Sequence, residues 1–510
     1  MTSILLSTLA AFAGETDVEY TIGSAVITYD NLDFRPLDES SDQTILDSDD
    51  RTTFAYLWVG AKLEHSVSDA MAVKFDLSHR ALWGGDEIGS VNAYGGIVYV
   101  RELDMDWAPM GALATDDEES VFRVRIGRQR LSLGGTPGKD YVYDDIADGI
   151  RVDVPLGKVG HLELVPLSIV SQAGDVANTN VADMKPSSAG LYNFRGDNLT
   201  TRGGGILVLD GMVEGLDLRA HLFYTDMSAR GTGADISYDG MLGNFADNDY
   251  TGNYGLRGSY AAGALAASAE FAGSFGVDRK ELIVTDASTT GFAGGATVVI
   301  DTSDVDAEQG GVRVNLDGWY AQGGAYAQDG ILYSHGYVSM KGDQAGGFVA
   351  DTLMGWHPSA YSDDIGVDHN VHDRARKSGS LVGHGGFAYV KGDTSEFGVD
   401  AWYLADTSVS YVDFDNIDAL MPPYGYSREE FAAEQRAGKG LGIEVDGHVK
   451  VQANDHLSFA GTGGLLSPGG FYKINVARVA GNGDDTQLGP NAQGLVAPAW
   501  ALGIGTEVTW

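Results

Sequence analysis

The chain reads as all-β: a transmembrane antiparallel up-and-down β-barrel of about 18 strands, with short periplasmic turns and long extracellular loops. Three observations predict it. Apolar and polar side chains alternate with a period of two through segments of about ten residues, long enough to cross a bilayer as tilted strands. Short and long connections alternate between these segments, and the last segment is amphipathic and stops on an aromatic residue. No apolar run approaches the roughly 18 residues of a membrane helix.

The hairpin from Thr53 to Trp83 shows the period most cleanly. Ala55, Leu57, Val59, Ala61 and Leu63 share one face, opposite Lys62 and Glu64. After a turn through Ser66 to Asp69, Met71, Val73, Phe75, Leu77, Ala81 and Trp83 oppose Lys74, Asp76, Ser78 and Arg80. A first strand precedes this hairpin at Val18 to Asp30. The pattern then predicts strands at 93–107, 121–131, 149–154, 161–171, 204–211, 216–226, 250–260, 265–276, 311–317, 319–328, 381–391, 396–405, 441–451, 457–466 and 495–510. Arg101 interrupts the apolar face of the 93–107 segment. Asp317-Gly318 and Gly392-Asp393 have the chemistry of tight hairpin turns. Long connections are expected at 172–200, 227–249, 277–308, 329–380, 407–438 and 467–494, and Ser427 with Glu430 forms a capping box that predicts a short helix in one of them.

The two ends carry export signals. Ile4-Leu5-Leu6, Leu9 to Ala13 and the small-residue pattern Ala11-Phe12-Ala13 read as a signal peptide over 1–13 that lacks its basic start, leaving 14–510 as one barrel domain. Leu502, Ile504, Thr506 and Val508 alternate with polar or small residues before the terminal Trp510. This resembles the signal by which barrel-assembly machinery recognises its clients. That machinery, outer-membrane lipid and lipopolysaccharide are therefore the expected partners, and the outer membrane of a Gram-negative bacterium the expected location.

Composition agrees. With 43% hydrophobic residues, 71 Gly, 24 Tyr and 12 Pro in 510, the chain is turn-rich and aromatic-rich rather than disordered. A net charge of -39 argues against a nucleic-acid partner, and the absence of Cys removes disulfides and thiolate metal sites.

Several stretches together resemble the alginate-export family of porin-like outer-membrane barrels. They are Arg125-Ile126-Gly127-Arg128-Gln129-Arg130-Leu131, Asp148-Gly149-Ile150-Arg151, Leu441-Gly442-Ile443-Glu444-Val445-Asp446, Asn454-Asp455-His456-Leu457-Ser458 and Leu466-Ser467-Pro468-Gly469-Gly470. The resemblance covers about residues 120 to 155 and 440 to 470. It implies an eighteen-stranded monomeric barrel through which an anionic polysaccharide such as alginate, or another small hydrophilic solute, crosses the membrane.

Strand parity names the residues that would line such a lumen. The basic ones are Lys62, Lys74, Arg80, Arg123, Arg125, Arg151, Arg219, Arg257, Arg313 and Lys450. The acidic ones are Glu64, Asp76, Glu102, Asp104, Asp106, Asp153, Asp217, Glu270, Asp317, Glu396, Asp400, Glu444, Asp446 and Glu507, so the lumen as a whole is no polycation. A local ladder at Arg123, Arg125 and Arg151 could still bind carboxylates bidentately, and the ordinary alternative is cross-strand pairing with Asp and Glu. Arg128 has lipid-facing parity; its motif favours an inward role, reached if Gly127 marks a bulge or the strand ends there. The candidate solute-binding residues are thus Arg80, Arg123, Arg125, Arg128, Arg151, Arg219, Arg257 and Arg313.

Competing chemistry is weakly supported. No Gly-x-Ser-x-Gly nucleophile motif is present, so no catalytic residue or cofactor is expected. His357, His369 and His372 with Asp363, Asp364 and Asp373 lie in the longest connection with no frame to hold a metal, and acidic tracts such as Asp47 to Asp50 and Asp116 to Glu119 are solvated loops with calcium only a chemical possibility. The expected function is passive passage of hydrophilic solutes. The alternatives are a general diffusion porin and a receptor or adhesion barrel whose pore is shut by an inward-folded loop, above all the 329–380 segment.

Overall fold

A computed structural model describes residues 16–30, 52–83, 97–109, 111, 121–133, 142–171, 199–226, 250–278, 287–303, 310–326, 332–334, 336–338, 340, 347–350, 379–392, 394–407, 409–410, 440–470 and 498–510. The alternating segments form eighteen antiparallel strands that close on themselves. They are β1 Thr16–Asp30, β2 Thr52–Ser68, β3 Met71–Trp83, β4 Ile97–Trp107, β5 Arg123–Ser132, β6 Asp144–Pro155, β7 His161–Ser171, β8 Leu199–Val213 and β9 Leu216–Asp226. They continue with β10 Tyr250–Ala262, β11 Leu265–Asp278, β12 Gly291–Asp301, β13 Gly311–Ala321, β14 Ser380–Lys391, β15 Ser395–Ala405, β16 Gly440–Asn454, β17 Leu457–Pro468 and β18 Ala499–Thr509. Each strand pairs with its sequence neighbours, and β1 closes the ring on β18 from Thr21↔Thr509 to Asp30↔Trp500. The closing seam is completed by Trp510, whose backbone exchanges hydrogen bonds of 2.8 and 3.0 Å with Tyr20.

Closure leaves no unpaired edge, as a bilayer requires, and the outer face is apolar. Leu222, Leu256, Leu316, Val399 and Ile504 project outward at mid-strand. Exposed aromatics flank them: Tyr224, Phe275, Phe292, Tyr320 and Tyr403 toward one rim, and Trp107, Tyr260, Tyr389, Phe397, Phe459 and Trp510 toward the other. An apolar band between two aromatic girdles is the exterior of a transmembrane barrel. The first rim carries the long connections and the second the short ones, including the two-residue turns after β2, β8, β10 and β16. One short-rim connection, between β4 and β5, runs to 15 residues (108–122).

The expected strand number holds through two errors that cancel. Gly291–Asp301 was expected to lie in a long loop but is β12, paired with β11 and β13. Its inward positions include Gly291, Ala293 and Gly295, so no polar face marks it. Small residues are needed there because a Cβ on Gly295 would come within 2.8 Å of the Trp319 ring. Conversely, Asp317-Gly318 is no turn. The strand runs through it as β13, with Asp317 opposite Thr297 and His384. Arg101 is explained by a bulge: Asp76 pairs with Glu102 and Leu77 with Val100, so Arg101 is the extra residue and parity reverses beyond it.

Residues 1–13, the metal-like His357/His369/His372 group, the Ser427 capping box and both acidic tracts lie outside the described residues.

Candidate functional site

Inward parity brings charged side chains from neighbouring strands to one wall, where they meet as pairs. Arg123 and Arg125 both bind Asp106 (3.2 and 3.1 Å), and Arg125 also approaches Asp104 at 3.7 Å. Arg151 bridges Asp153 and Glu163 (2.6 and 3.3 Å), and His161 lies 3.2 Å from Glu163. Asp104, Asp106 and Glu163 are buried. Arg313 links Asp301 and Glu396 (2.6 and 3.2 Å), and buried Arg257 stands opposite Glu270 in the register. These arginines are therefore components of ion pairs across strands, not a ladder of uncommitted guanidinium groups.

Arg128 keeps its outward parity. Gly127 adopts φ +129° yet shifts no register, and Arg128 stands opposite Leu103 on β4 and Asp148 on β6. It binds Asp148 with two hydrogen bonds of 2.9 and 2.7 Å on the face that also carries Ile126 and Ile150. The side chain of Arg80 lies outside the described residues; the register places its backbone opposite Trp58 and Ile97.

Two connections from the long-loop rim fold into the lumen, and lumen side chains grip their backbones. Arg219 pairs with Asp217 at 2.7 Å and donates from Nη1 to the Leu133 carbonyl (2.6 Å) in the β5–β6 connection. Tyr143 in that connection packs on Phe223 with ring centroids 5.3 Å apart, beneath the Arg202 guanidinium. Met340, from the long connection between β13 and β14, donates to the Val142 carbonyl and accepts from Arg202 (3.1 Å). Val338 accepts from Asn253 Nδ2 (2.6 Å) and donates to Ser274 Oγ (3.0 Å).

Ten residues after Val338, the same connection meets the opposite part of the wall. Phe348 N–H donates to Asp446 (3.0 Å), while Val349 and Ala350 N–H donate to the two oxygens of Glu444 (2.5 and 3.0 Å). Both carboxylates are buried. The contact requires small residues around it. A Cβ on Gly347 would lie 2.2 Å from Asp446 Oδ2, and one on Gly464 2.9 Å from Val349. Val338 and Met340 thus lie against β8, β10 and β11, and residues 347–350 against β16, inside the barrel.

The apolar residues packed inside the barrel belong to this arrangement: Leu133, Tyr143, Ile206, Phe223, Trp319, Tyr337 and Met340 are all buried. By contrast Glu19, Lys62 and Glu64 on β1 and β2 remain exposed at the short-turn end. Among the described residues, the buried apolar side chains of the interior therefore cluster against the β5–β16 arc, away from these exposed charges.

Sequence reasoning missed Arg202, His384 and His448 as lumen residues. Arg202 precedes the predicted strand, which begins five residues later in the chain than β8 does. His384 and His448 sit on predicted strands and share the parity of Asp400 and Asp446 through the register, so extending the parity count to His would have found them.

No family model matches the chain, and no curated protein matches it. Among solved structures it is similar to the outer membrane protein OprD of Pseudomonas aeruginosa, at 10% identity and TM-score 0.45, covering 98% of this chain and 96% of that one. It is also similar to OccAB2 of Acinetobacter baumannii, at 9% identity and TM-score 0.45 over 97% and 98%, and to OprB of Pseudomonas putida, at 9% and 0.44 over 100% and 96%. The likeness lies in the barrel and not in the sequence. The alginate-export resemblance finds no counterpart among these comparisons.

Proposed function

We propose that the chain is a passive outer-membrane channel for small hydrophilic solutes, narrowed by the inward residues 336–338, 340 and 347–350. One observation carries this reading: a closed barrel with an apolar exterior holds a charged interior in which a loop is pinned to the wall at both ends. A polyanion such as alginate, the finer reading that the resemblance implies, would need uncommitted guanidinium groups along its path. The pairing of Arg123, Arg125, Arg151, Arg219 and Arg313 with carboxylates speaks for a general solute path instead.

The test is single-channel recording of the purified chain in a planar bilayer under a salt gradient, with and without oligoalginate or neutral oligosaccharides. Steady conductance without block by oligoalginate supports the general path. Block by oligoalginate would restore the polysaccharide reading. Complete absence of current would overturn the open channel in favour of a loop-closed receptor barrel.

The arginine cluster makes a separate prediction. Replacing Arg123, Arg125 and Arg151 together by Ala removes three guanidinium groups from beside Asp104, Asp106, Asp153 and Glu163. The reversal potential is expected to move toward stronger cation preference, and an unaltered value would remove the cluster from any role in selectivity.

A further inference from the structure

The largest charged constellation not absorbed by the arginine cluster or the loop anchors lies on the wall formed by β12 to β16. Asp317 Oδ1 is 2.5 Å from His384 Nδ1, and His384 Nε2 is 3.0 Å from Asp400. The other Asp400 oxygen is 3.0 Å from His448 Nδ1, and His448 Nε2 is 3.3 Å from Glu396. Glu396 continues to Arg313, and Arg313 to Asp301. The chain of contacts crosses five adjacent strands and alternates in sign at every step, provided both imidazoles are charged. As imidazoliums, both rings can donate to a carboxylate from each nitrogen, since only the imidazolium carries two N–H groups.

All these residues have lumen parity, since Phe397 and Val399 between Glu396 and Asp400 point outward. Access to the lumen rises along the ribbon, from 8% of the His384 side chain, stacked on Trp402 with centroids 3.8 Å apart, to 28% for His448 and 31% for Arg313.

We propose that this ribbon sets the ion preference of the lumen and changes it with pH, through loss of the His384 proton; the inference rests on the channel reading above. With both imidazoliums present, four carboxylates face Arg313 and two further cations, leaving one negative charge in excess. Loss of the His384 proton leaves two. The other charged groups facing the pair are few. Lys450 and Asp446 share β16 with His448, Lys450 stands opposite Glu396, and β17 presents the neutral Thr462 opposite His448. On β15, Trp402 faces His384 alongside Asp400. The sign follows directly: raising the pH removes positive charge from the wall and favours cations, and lowering it restores near-balance.

The experiment uses the full chain in a planar bilayer, reading the potassium-to-chloride permeability ratio between about pH 6 and about pH 9.5, a window below most Lys and Tyr titration. In the unaltered protein the ratio is expected to rise by about threefold or more across it. The double variant His384→Gln/His448→Gln, checked for heat-modifiable migration as a folded barrel, is expected to prefer cations throughout with that rise abolished. Should the double variant fail to fold, His384→Gln alone is expected to lose the rise. A flat ratio in the unaltered protein, or an undiminished rise in the variants, would overturn the proposal while leaving the channel intact. No current from any form would instead overturn the channel reading on which it rests.

Discussion

Replacing Glu444 by Gln and Asp446 by Asn is expected to raise single-channel conductance at neutral pH by about twofold or more. The segment 347–350 is held on β16 by three N–H groups donating to these two carboxylates. Hydrogen bonds contribute about 0.5–1.5 kcal/mol each, more where the acceptor is charged, and each introduced amide keeps one acceptor oxygen and turns an NH2 group toward the remaining donors. A combined loss of roughly 3 kcal/mol shifts the held-to-released ratio about a hundredfold. The far anchor, through Arg202, Asn253 and Ser274, would still tether Val338 and Met340, so the segment should swing rather than leave the barrel. A second readout is available because the chain has no Cys. Val349→Cys, at a fully buried position, should react slowly with a small thiol reagent alone and quickly when combined with the two amide substitutions. Unchanged conductance together with unchanged labelling would show that the carboxylates do not hold the segment.

The second large effect concerns the outer face. Leu256→Arg is expected to destabilise the folded barrel by about 2–4 kcal/mol, the cost of an arginine on the lipid face near the bilayer midplane. Leu256 lies at the centre of β10 and is among the most exposed apolar side chains, at 64%. The next residue, Arg257, is a native arginine that costs nothing comparable, because parity turns it inward across from Glu270. Denaturant unfolding in lipid vesicles measures the difference. A loss below about 0.5 kcal/mol would mean that the apolar band around Leu256 does not meet hydrocarbon.

Much of this arrangement is legible in local pattern. Phe397, Val399 and Tyr403 alternate with Glu396, Asp400 and Trp402 whatever the strand pairs with, because successive side chains of a strand point to opposite faces. Seventeen of the eighteen strands and the inward parity of Arg123, Arg125, Arg151, Arg219, Arg257 and Arg313 follow from that rule. It fails where local chemistry is ambiguous. Gly291–Asp301 has too few polar residues to show two faces, Asp317-Gly318 carries turn chemistry inside a strand, and Arg101 breaks an apolar face without showing that the break is a bulge that reverses parity.

The sequence by itself determined the wall: a membrane-crossing barrel with apolar residues outside and charged residues inside, since that depends on a period of two and on chain length. Only the tertiary structure decided what the interior holds. Glu444 meets Val349 across 95 positions, Arg202 meets Met340 across 138, and His384 joins Asp317 across 67. Such contacts depend on which strands close beside one another and how a loop returns between them. Parity states that a charge faces inward, but its partner is chosen by three-dimensional proximity among residues that no local pattern connects.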